Sequence, residues 1–386
     1  MRGGSEYAAT GAPSAGALST STMTGLQGSF FAFVFYDVAE QIVMSKMRDI
    51  LGAQAPGRAP TFKHPAPEYV RFQDPPVVEE AGPVALSRGE KWDCRIKYFD
   101  YGVVSVEMEL PFQTDWEGLV RFSARWIGEP EIESVSAELL RGRLKRFQPA
   151  LVQPYSSWLS EDYCVVQVNR AVDSSGAPLT AKAMLAEFGD QMVRIIRGES
   201  VELSDMEREE ALQSRLSYYP EDLLVAGWTA AFLYDTPEGA AASRQLLEYA
   251  NTQLLEFRHY DEALTRVLQN VYKQLDRPHG LLSGWRMGRE AERLNAMRLE
   301  VIELSERSDN AIKFLSDMFY ARAYRLASQK VGVGDYRNLV EQKLRIAGSL
   351  YDSMTNQFHQ SRAFVLEAMV VAILIIDLIL LFRNSF

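Results

Sequence analysis

The chain has 386 residues, of which 47% are hydrophobic and 24% are charged, and its formal net charge is −10. This length and composition allow one or two globular domains with hydrophobic cores. The acidic balance argues against sequence-independent nucleic-acid binding, which needs a basic surface, so no direct DNA binding is expected.

The first predicted elements follow a tail, residues 1–28, whose Gly, Ala, Ser and Thr content predicts disorder. The run SFFAFVFYD predicts a strand, and AEQIVMSKMRDILG predicts a short amphipathic helix. A second strand is expected at PAPEYVRF. The stretch KWDCRIKYFDYGVVSVEMELPF has the pattern of two strands around a tight turn at Asp100–Gly102.

Helices and strands continue to alternate up to residue 236. The stretches DWEGLVRFSARWIG and LTAKAMLAEFGDQMVRIIRG predict helices, and EDYCVVQVN predicts a strand. The acids of ELSDMEREEALQSR indicate a solvated helix face. The aromatic stretch YPEDLLVAGWTAAFLYD predicts one long buried strand. We therefore predict a mixed α/β domain over residues 29–236.

After residue 236 the pattern changes to long helices. An a/d heptad seam is formed by Leu247, Leu254, Asp261, Leu268 and Leu275, with Ala250, Phe257, Leu264 and Val271 between them. The stretches RPHGLLSG and KVGVGD interrupt the helical pattern. This pattern predicts a helical coiled-coil stalk over 237–362 that holds several copies of the chain together.

One member of the seam, Asp261, is polar, and two interpretations are open. It is either a helix-surface acid outside the true seam or a buried polar residue that fixes helix pairing. In the second case its partner is expected to be Arg258 of a neighbouring copy, because a single polar residue in a seam can set register and oligomer state.

Residues 363–382 are almost entirely apolar and are bracketed by Arg362 and Arg383. Twenty helical residues span about 30 Å, which matches the hydrocarbon core of a bilayer. The sequence therefore predicts a C-terminal transmembrane helix, a tail anchor in contact with membrane lipid. Basic residues before the span place the large domain on the cytoplasmic or matrix side of an inner membrane.

Two acids, Glu367 and Asp377, lie inside this apolar segment. They are either tolerated near the membrane edges or satisfied by another helix, in a homo-oligomer or a partner. A proton or ion path is the third interpretation, and a single span with no intramembrane base makes it the weakest.

Two stretches resemble the required-for-meiotic-nuclear-division family of single-pass membrane proteins. QLLEFRHYDEAL (253–264) is similar to a helix motif of that family, and NQFHQSRAFVLEAMVVAILIIDL (356–378) is similar to its C-terminal signature. The resemblance implies a remote, bacterial member and a non-catalytic, membrane-anchored oligomer that supports translation. It places Arg258 and Asp261 in the helix motif and Glu367 and Asp377 at the two signature acids.

No motif of a known catalytic or cofactor site is present. Cys94 and Cys164 lack CxxC spacing and are expected to be core thiols, and the four histidines are scattered. Phosphate-binding glycine loops, HExxH and GxSxG sequences do not occur. We therefore predict a protein that is not an enzyme, without catalytic, cofactor-binding or metal-binding residues and without cofactors.

Together these features predict an α+β fold: an N-terminal mixed α/β domain, a helical coiled-coil stalk and a C-terminal transmembrane helix. The expected function is a tail-anchored scaffold that forms homo-oligomers and presents its α/β domain to a protein partner or the ribosome. Arg258, Asp261, Arg362, Glu367 and Asp377 are the candidate oligomer or membrane interface. The alternatives are a membrane-tethered module that senses a small molecule and, third, a tethered enzyme.

Overall fold

The computed structural model describes residues 25–52, 76–172, 176–275, 295–299, 301–303, 318–350, 352, 369–371 and 373–375.

Within these residues, one mixed sheet of eight strands forms the centre of the molecule, in the order β2-β3-β4-β1-β5-β8-β7-β6. The strands are β1 Leu26–Ile42, β2 Val77–Ala85, β3 Lys91–Tyr98, β4 Val103–Thr114, β5 Leu151–Ala171, β6 Arg215–Leu216, β7 Leu223–Ala226 and β8 Ala230–Tyr234. Neighbouring strands are antiparallel except β5 and β8, which are parallel.

Helices cover both faces of the sheet. They are α1 Met44–Leu51, α2 Trp116–Trp126, α3 Pro130–Phe147, α4 Ala181–Arg197, α5 Asp205–Gln213, α6 Pro237–Leu275 and α7 Met318–Lys330, followed by a helix at 333–350. Side-chain caps start several of them: the Asp115 carboxylate accepts from the Gly118 N–H, and the Thr180 hydroxyl from the Ala183 N–H.

The central strand β1 shows why three layers form. Its alternate residues Phe30, Ala32 and Val34 belong to one hydrophobic core, which α1 to α5 cover. Phe31 and Phe33 belong to a second core on the opposite face, which α6, α7 and helix 333–350 cover. A strand that is apolar on both faces needs cover on both sides, so the uninterrupted run FFAFVF specifies a central strand.

Most of the predicted local elements are confirmed. The strand SFFAFVFYD lies in β1, the turn at Asp100–Gly102 joins β3 to β4, EDYCVVQVN lies in β5, and the two predicted helices are α2 and α4. The break at KVGVGD is the turn between α7 and helix 333–350. The predicted tail was too long, because β1 begins at Leu26, and PAPEYVRF lies outside the described residues.

The prediction of one long strand at YPEDLLVAGWTAAFLYD was wrong. This stretch forms two antiparallel strands, β7 and β8, joined by a turn at Gly227. The Gly227 N–H donates to the Ala230 carbonyl, and a Cβ at Gly227 would lie 2.7 Å from that carbonyl oxygen. The hairpin therefore needs glycine at this position.

The prediction of a coiled-coil stalk was also wrong, because α6 packs against a different surface from the one expected. The seam residues of α6 are buried against the chain's own sheet and helices: Leu247, Ala250, Leu254, Phe257, Leu264 and Leu268 all belong to the second core. A heptad pattern indicates that one face of a helix is apolar, but it does not specify which surface covers that face. The apolar seam of α6, which was expected to hold several copies together, is therefore buried within the third layer of the domain.

The prediction of a C-terminal transmembrane helix at 363–382 was wrong. Among the residues that the structure describes, no helix combines the length and the apolar content needed to cross a membrane. Of this segment, 369–371 and 373–375 are described, and these residues are helical with exposed side chains. The predicted tail anchor and inner-membrane location, which depended on this helix, were wrong with it.

Candidate functional site

Charged side chains from one turn of α6 pair with three different elements. Arg258 forms an ion pair with Glu161 of β5. His259 Nδ1 lies 2.5 Å from Asp37 Oδ2 on β1. The third pair joins Asp261 of α6 to Lys343 of helix 333–350, with Nζ and Oδ1 2.5 Å apart. We call these six residues the α6 ion-pair cluster; it joins α6 to two strands and to the following helix.

The environment of Asp37 is unusual for a carboxylate. Its side chain is almost fully buried, and burial raises its pKa, although the hydrogen bond and charge of His259 oppose that shift. The ring of Tyr155 stacks on the His259 imidazole with ring centroids 5.0 Å apart. The Asp37–His259 pair is therefore held between the sheet and an aromatic ring.

An irregularity of β5 makes room for this pair. Asp37 faces Leu159, whereas Ala39, two residues further along β1, faces Pro154. The extra residues of β5, 155–158, bulge out of the ladder opposite Val38. This bulge carries Tyr155 onto His259, because a β-bulge redirects the side chains of the longer strand.

A carboxylate bonded to a histidine fixes the tautomer of the imidazole, an arrangement found in hydrolases and at metal centres. Such sites also need a nucleophile or further metal ligands. Among the described residues, no group of three His, Cys, Asp or Glu side chains is placed to hold a metal ion. The cluster joins α6 to β5, to β1 and to helix 333–350.

A second set of charges lies under α6, nearer its start. Lys97 Nζ of β3 donates to Glu107 Oε2 of β4 and to Glu248 Oε2 of α6, each at 2.6 Å. Ser105 Oγ donates to Glu248 Oε1 at 2.7 Å. All four side chains are mostly or fully buried. We call these four residues the buried charge cluster.

The two carboxyl groups of this cluster differ in their pKa. Burial alone would raise the pKa of Glu107, but the charges of Lys97 and Arg244 lower it to about 2. Burial raises the pKa of Glu248, and the negative charge of Glu107 adds to this while Lys97 opposes it. Lys97 is thus the cation that both buried acids share, and Arg95 and Arg244 lie near Glu107 as well.

Two further polar residues of α6 lie between these clusters. Thr252 and Tyr101 share a hydrogen bond of 2.7 Å between their hydroxyl oxygens. Gln253 is fully buried, and neither its Oε1 nor its Nε2 has a hydrogen-bond partner in the described structure. Polar side chains thus occur along α6 from Glu248 to Asp261, where the helix packs on the sheet.

The structure places part of the predicted interface. Arg258 and Asp261 lie together on α6, but each pairs within the chain, with Glu161 and Lys343. A role for them between copies stays a prediction. Arg362, Glu367 and Asp377 lie outside the described residues.

Sequence reasoning missed the partners of these residues. Lys97 and Glu107 lie on the strands of the predicted β3–β4 hairpin, where alternate polar side chains are typical of a solvated face. The available signal was Glu248, which lies beside the apolar seam and would have to be buried if α6 packed on the sheet.

A small pocket lies at the far end of the sheet, at the β7–β8 turn. Its volume is about 80 Å³, and its charged or aromatic lining residues are Arg197, Glu210, Trp228 and Lys330. Sites for metabolites usually have about 300–1,000 Å³. This pocket has room for a few water molecules or a small ion.

Comparison with known proteins gives a family without a described activity. Residues 27–241 match the family model described as "Uncharacterized protein MJ0711, N-terminal domain". The "Uncharacterized protein MJ0711" of Methanocaldococcus jannaschii is 20% identical over 190 residues, which are 49% of this chain and 58% of that protein. The chain thus covers less than two thirds of that relative. No solved structure matches.

Proposed function

Because the chain belongs to the family of the MJ0711 N-terminal domain, whose activity is not described, we propose its function from the geometry of its residues: a non-catalytic scaffold that self-associates and presents its sheet domain to a protein partner.

The observation that carries the proposal is the contrast between paired charges inside the molecule and exposed apolar groups on its surface. In the α6 ion-pair cluster and in the buried charge cluster, the charged side chains pair with others of the same cluster. These pairs join α6 to the sheet and to helix 333–350. Tyr218, Trp228 and Met318 are among the exposed large apolar side chains, and they lie in the loops at the two ends of β7 and at the start of α7. Exposed apolar patches mark sites of protein interaction.

Aromatic side chains at such a surface favour a protein partner. Tyr and Trp dominate the binding energy of protein interfaces because they bury much area with few rotatable bonds. Every copy of the chain exposes these apolar side chains, and self-association would cover them in each copy. By the resemblance to the required-for-meiotic-nuclear-division family, we include the translation machinery as a candidate partner.

A small-molecule sensor is the second candidate, and its support is the pocket at the β7–β8 turn. The volume of about 80 Å³ limits its ligand to a small ion. The proposal of a scaffold is favoured because Tyr218, Trp228 and Met318 are exposed, whereas the pocket has room only for a small ion.

The test is the mass of the full chain in solution by size-exclusion chromatography with light scattering, together with crosslinking in native extracts. A scaffold is expected to elute as a defined oligomer and to crosslink to itself and to a second protein. A monomer at micromolar concentration that crosslinks to no protein refutes the proposal.

A further inference from the structure

The loop between β6 and β7 presents an ordered aromatic surface. Tyr218 is 53% exposed and Tyr219 is 44% exposed. The Asp222 carboxylate accepts from both of their backbone N–H groups, at 2.7 and 2.9 Å. The Tyr218 ring also contacts Phe319 of α7 edge-on, with centroids 5.4 Å apart. An ordered surface loses little entropy on binding, so this edge is suited to a protein contact.

The outward face of α7 is basic. Met318, Arg322 and Arg325 are all exposed, and at 100° per residue they lie within about 60° of one another around the helix. Met318 is 79% exposed. Arg322 and Arg325 form no ion pair with the described residues. With respect to the described residues, the face therefore offers two positive charges without an ion-pair partner beside a long apolar side chain.

The outward face of α5 has the opposite charge. Asp205, Met206 and Glu209 are exposed within a sector of about 100°. Met206 is 83% exposed. In the described structure neither Asp205 nor Glu209 forms an ion pair. Within the part of the chain that the structure describes, this helix therefore offers negative charges without an ion-pair partner beside a methionine.

These two helices lie on opposite faces of the same sheet edge. Leu212 of α5 belongs to the first core, and Tyr320 of α7 belongs to the second. Lys330 Nζ of α7 lies 2.5 Å from Glu210 Oε1 of α5, which fixes the two helices relative to each other. Between them lies β6, a strand of two residues that pairs with β7 on one side.

From this arrangement we infer that the β6 edge, made of α5, the β6–β7 loop and the outward face of α7, is an isologous interface between two copies of the chain. This inference rests on the proposed self-association and names the surface that carries it. A twofold axis in the plane of the sheet, parallel to its edge, exchanges the two faces of the sheet. The basic face of α7 in each copy then lies beside the acidic face of α5 in the other.

Charge complementarity selects a second copy as the occupant. The edge is basic on one side and acidic on the other, so it complements itself when the faces are exchanged, and an isologous contact requires such a surface. The methionines and tyrosines supply the apolar part of the contact. Because β6 is so short, side chains and not a continuous sheet hold the copies together.

Charge reversal tests the inference. Arg322→Glu with Arg325→Glu makes both faces acidic, and Asp205→Arg with Glu209→Arg makes both basic. Each double variant alone is expected to self-associate on the order of 100-fold more weakly, because like charges then face each other. Mixed one to one, the two variants pair acid with base at both contacts and are expected to form a heterodimer. Sedimentation velocity measures all three samples.

The matched control is Arg48→Glu with Arg121→Glu, on α1 and α2, which changes the net charge equally away from the β6 edge. It is expected to leave self-association unchanged. Thermal unfolding of each variant checks that the variant is folded. Formation of the heterodimer on mixing is a second check, because it requires that both variants are folded.

A disulfide test gives a second readout that does not depend on charge. Copies with Met206→Cys mixed with copies with Met318→Cys are expected to form intermolecular disulfides between the two kinds, because α5 faces α7 across the axis. Disulfides only between copies of the same kind would overturn the arrangement.

The outcomes separate this inference from the proposed function. A wild-type chain that is monomeric and crosslinks to no protein overturns both, and a monomer that crosslinks to a second protein overturns the interface between copies. A wild-type oligomer whose association is unchanged by the reversal at Arg322 and Arg325 leaves the scaffold in place and overturns the β6 edge as its interface.

Discussion

Replacing Lys97 by Met tests whether the buried charge cluster holds α6 on the sheet. The substitution keeps a long unbranched side chain but removes the cation that donates at 2.6 Å to both Glu107 and Glu248. Removing one partner of a buried ion pair costs about 3–5 kcal/mol, because Glu248 then stays buried without a charged partner among the described residues, whereas Arg95 and Arg244 remain beside Glu107. Against a total stability of about 5–15 kcal/mol, this loss would be large.

The pH dependence gives the prediction its specificity. In the wild type, Lys97 and Arg244 lower the pKa of Glu107 to about 2, so its contribution to stability is present above its unfolded pKa and lost as pH falls towards 2. Without Lys97, Arg95 and Arg244 still lower the pKa of Glu107, but burial raises the pKa of Glu248 in the folded state with no Lys97 charge to oppose it. A group whose folded pKa is raised loses stability as pH rises through that pKa. The deficit of the variant is therefore expected to be largest at neutral pH and smaller near pH 5.

Urea denaturation of the wild type and the variant at pH 7 and pH 5 measures this deficit. Lys91→Met is the matched control, because Lys91 lies on the same strand with its side chain exposed, and its stability should change little. A loss below about 1 kcal/mol for the Lys97 variant, or a loss equal at both pH values, would refute the account of the cluster.

Three further predictions concern single residues. Gln253→Met is expected to stabilise the chain by about 1–3 kcal/mol in urea denaturation, because it removes two buried polar atoms without partners; a loss of stability would show that the amide is satisfied in solution. Gly102→Ala is expected to cost about 3 kcal/mol, since Gly102 has φ +94° and its Cβ would lie 1.8 Å from a carbonyl oxygen of β1. Gly89→Ala, with φ +90° and open space, should lose only about 1 kcal/mol, and equal losses would contradict the steric argument. Asp37→Asn is expected to gain stability relative to the wild type as pH rises from 4 to 7, because burial raises the pKa of Asp37 and its ionisation costs stability above that pKa; parallel stability curves would count against this.

Local patterns in the sequence determined the elements that depend on neighbouring residues. The apolar run of β1, the turn at Gly102, the cap of α2 at Asp115 and the break between α7 and the next helix all follow from residues within a few positions of one another. The sequence also singled out Arg258 and Asp261 as interface residues; the structure shows them paired within the chain, and a role between copies stays a prediction. For these features, propensity and periodicity carry the information.

The packing partner of each surface was decided only in the tertiary structure. Lys97 meets Glu248 across 151 positions of the chain, and Arg258 meets Glu161 across 97. The heptad seam of α6 fitted another helix or the chain's own sheet equally well, since an apolar stripe is satisfied by any apolar cover. The sheet supplies that cover because β1 is apolar on both faces, and burying both faces within one chain leaves the seam unavailable to a second copy.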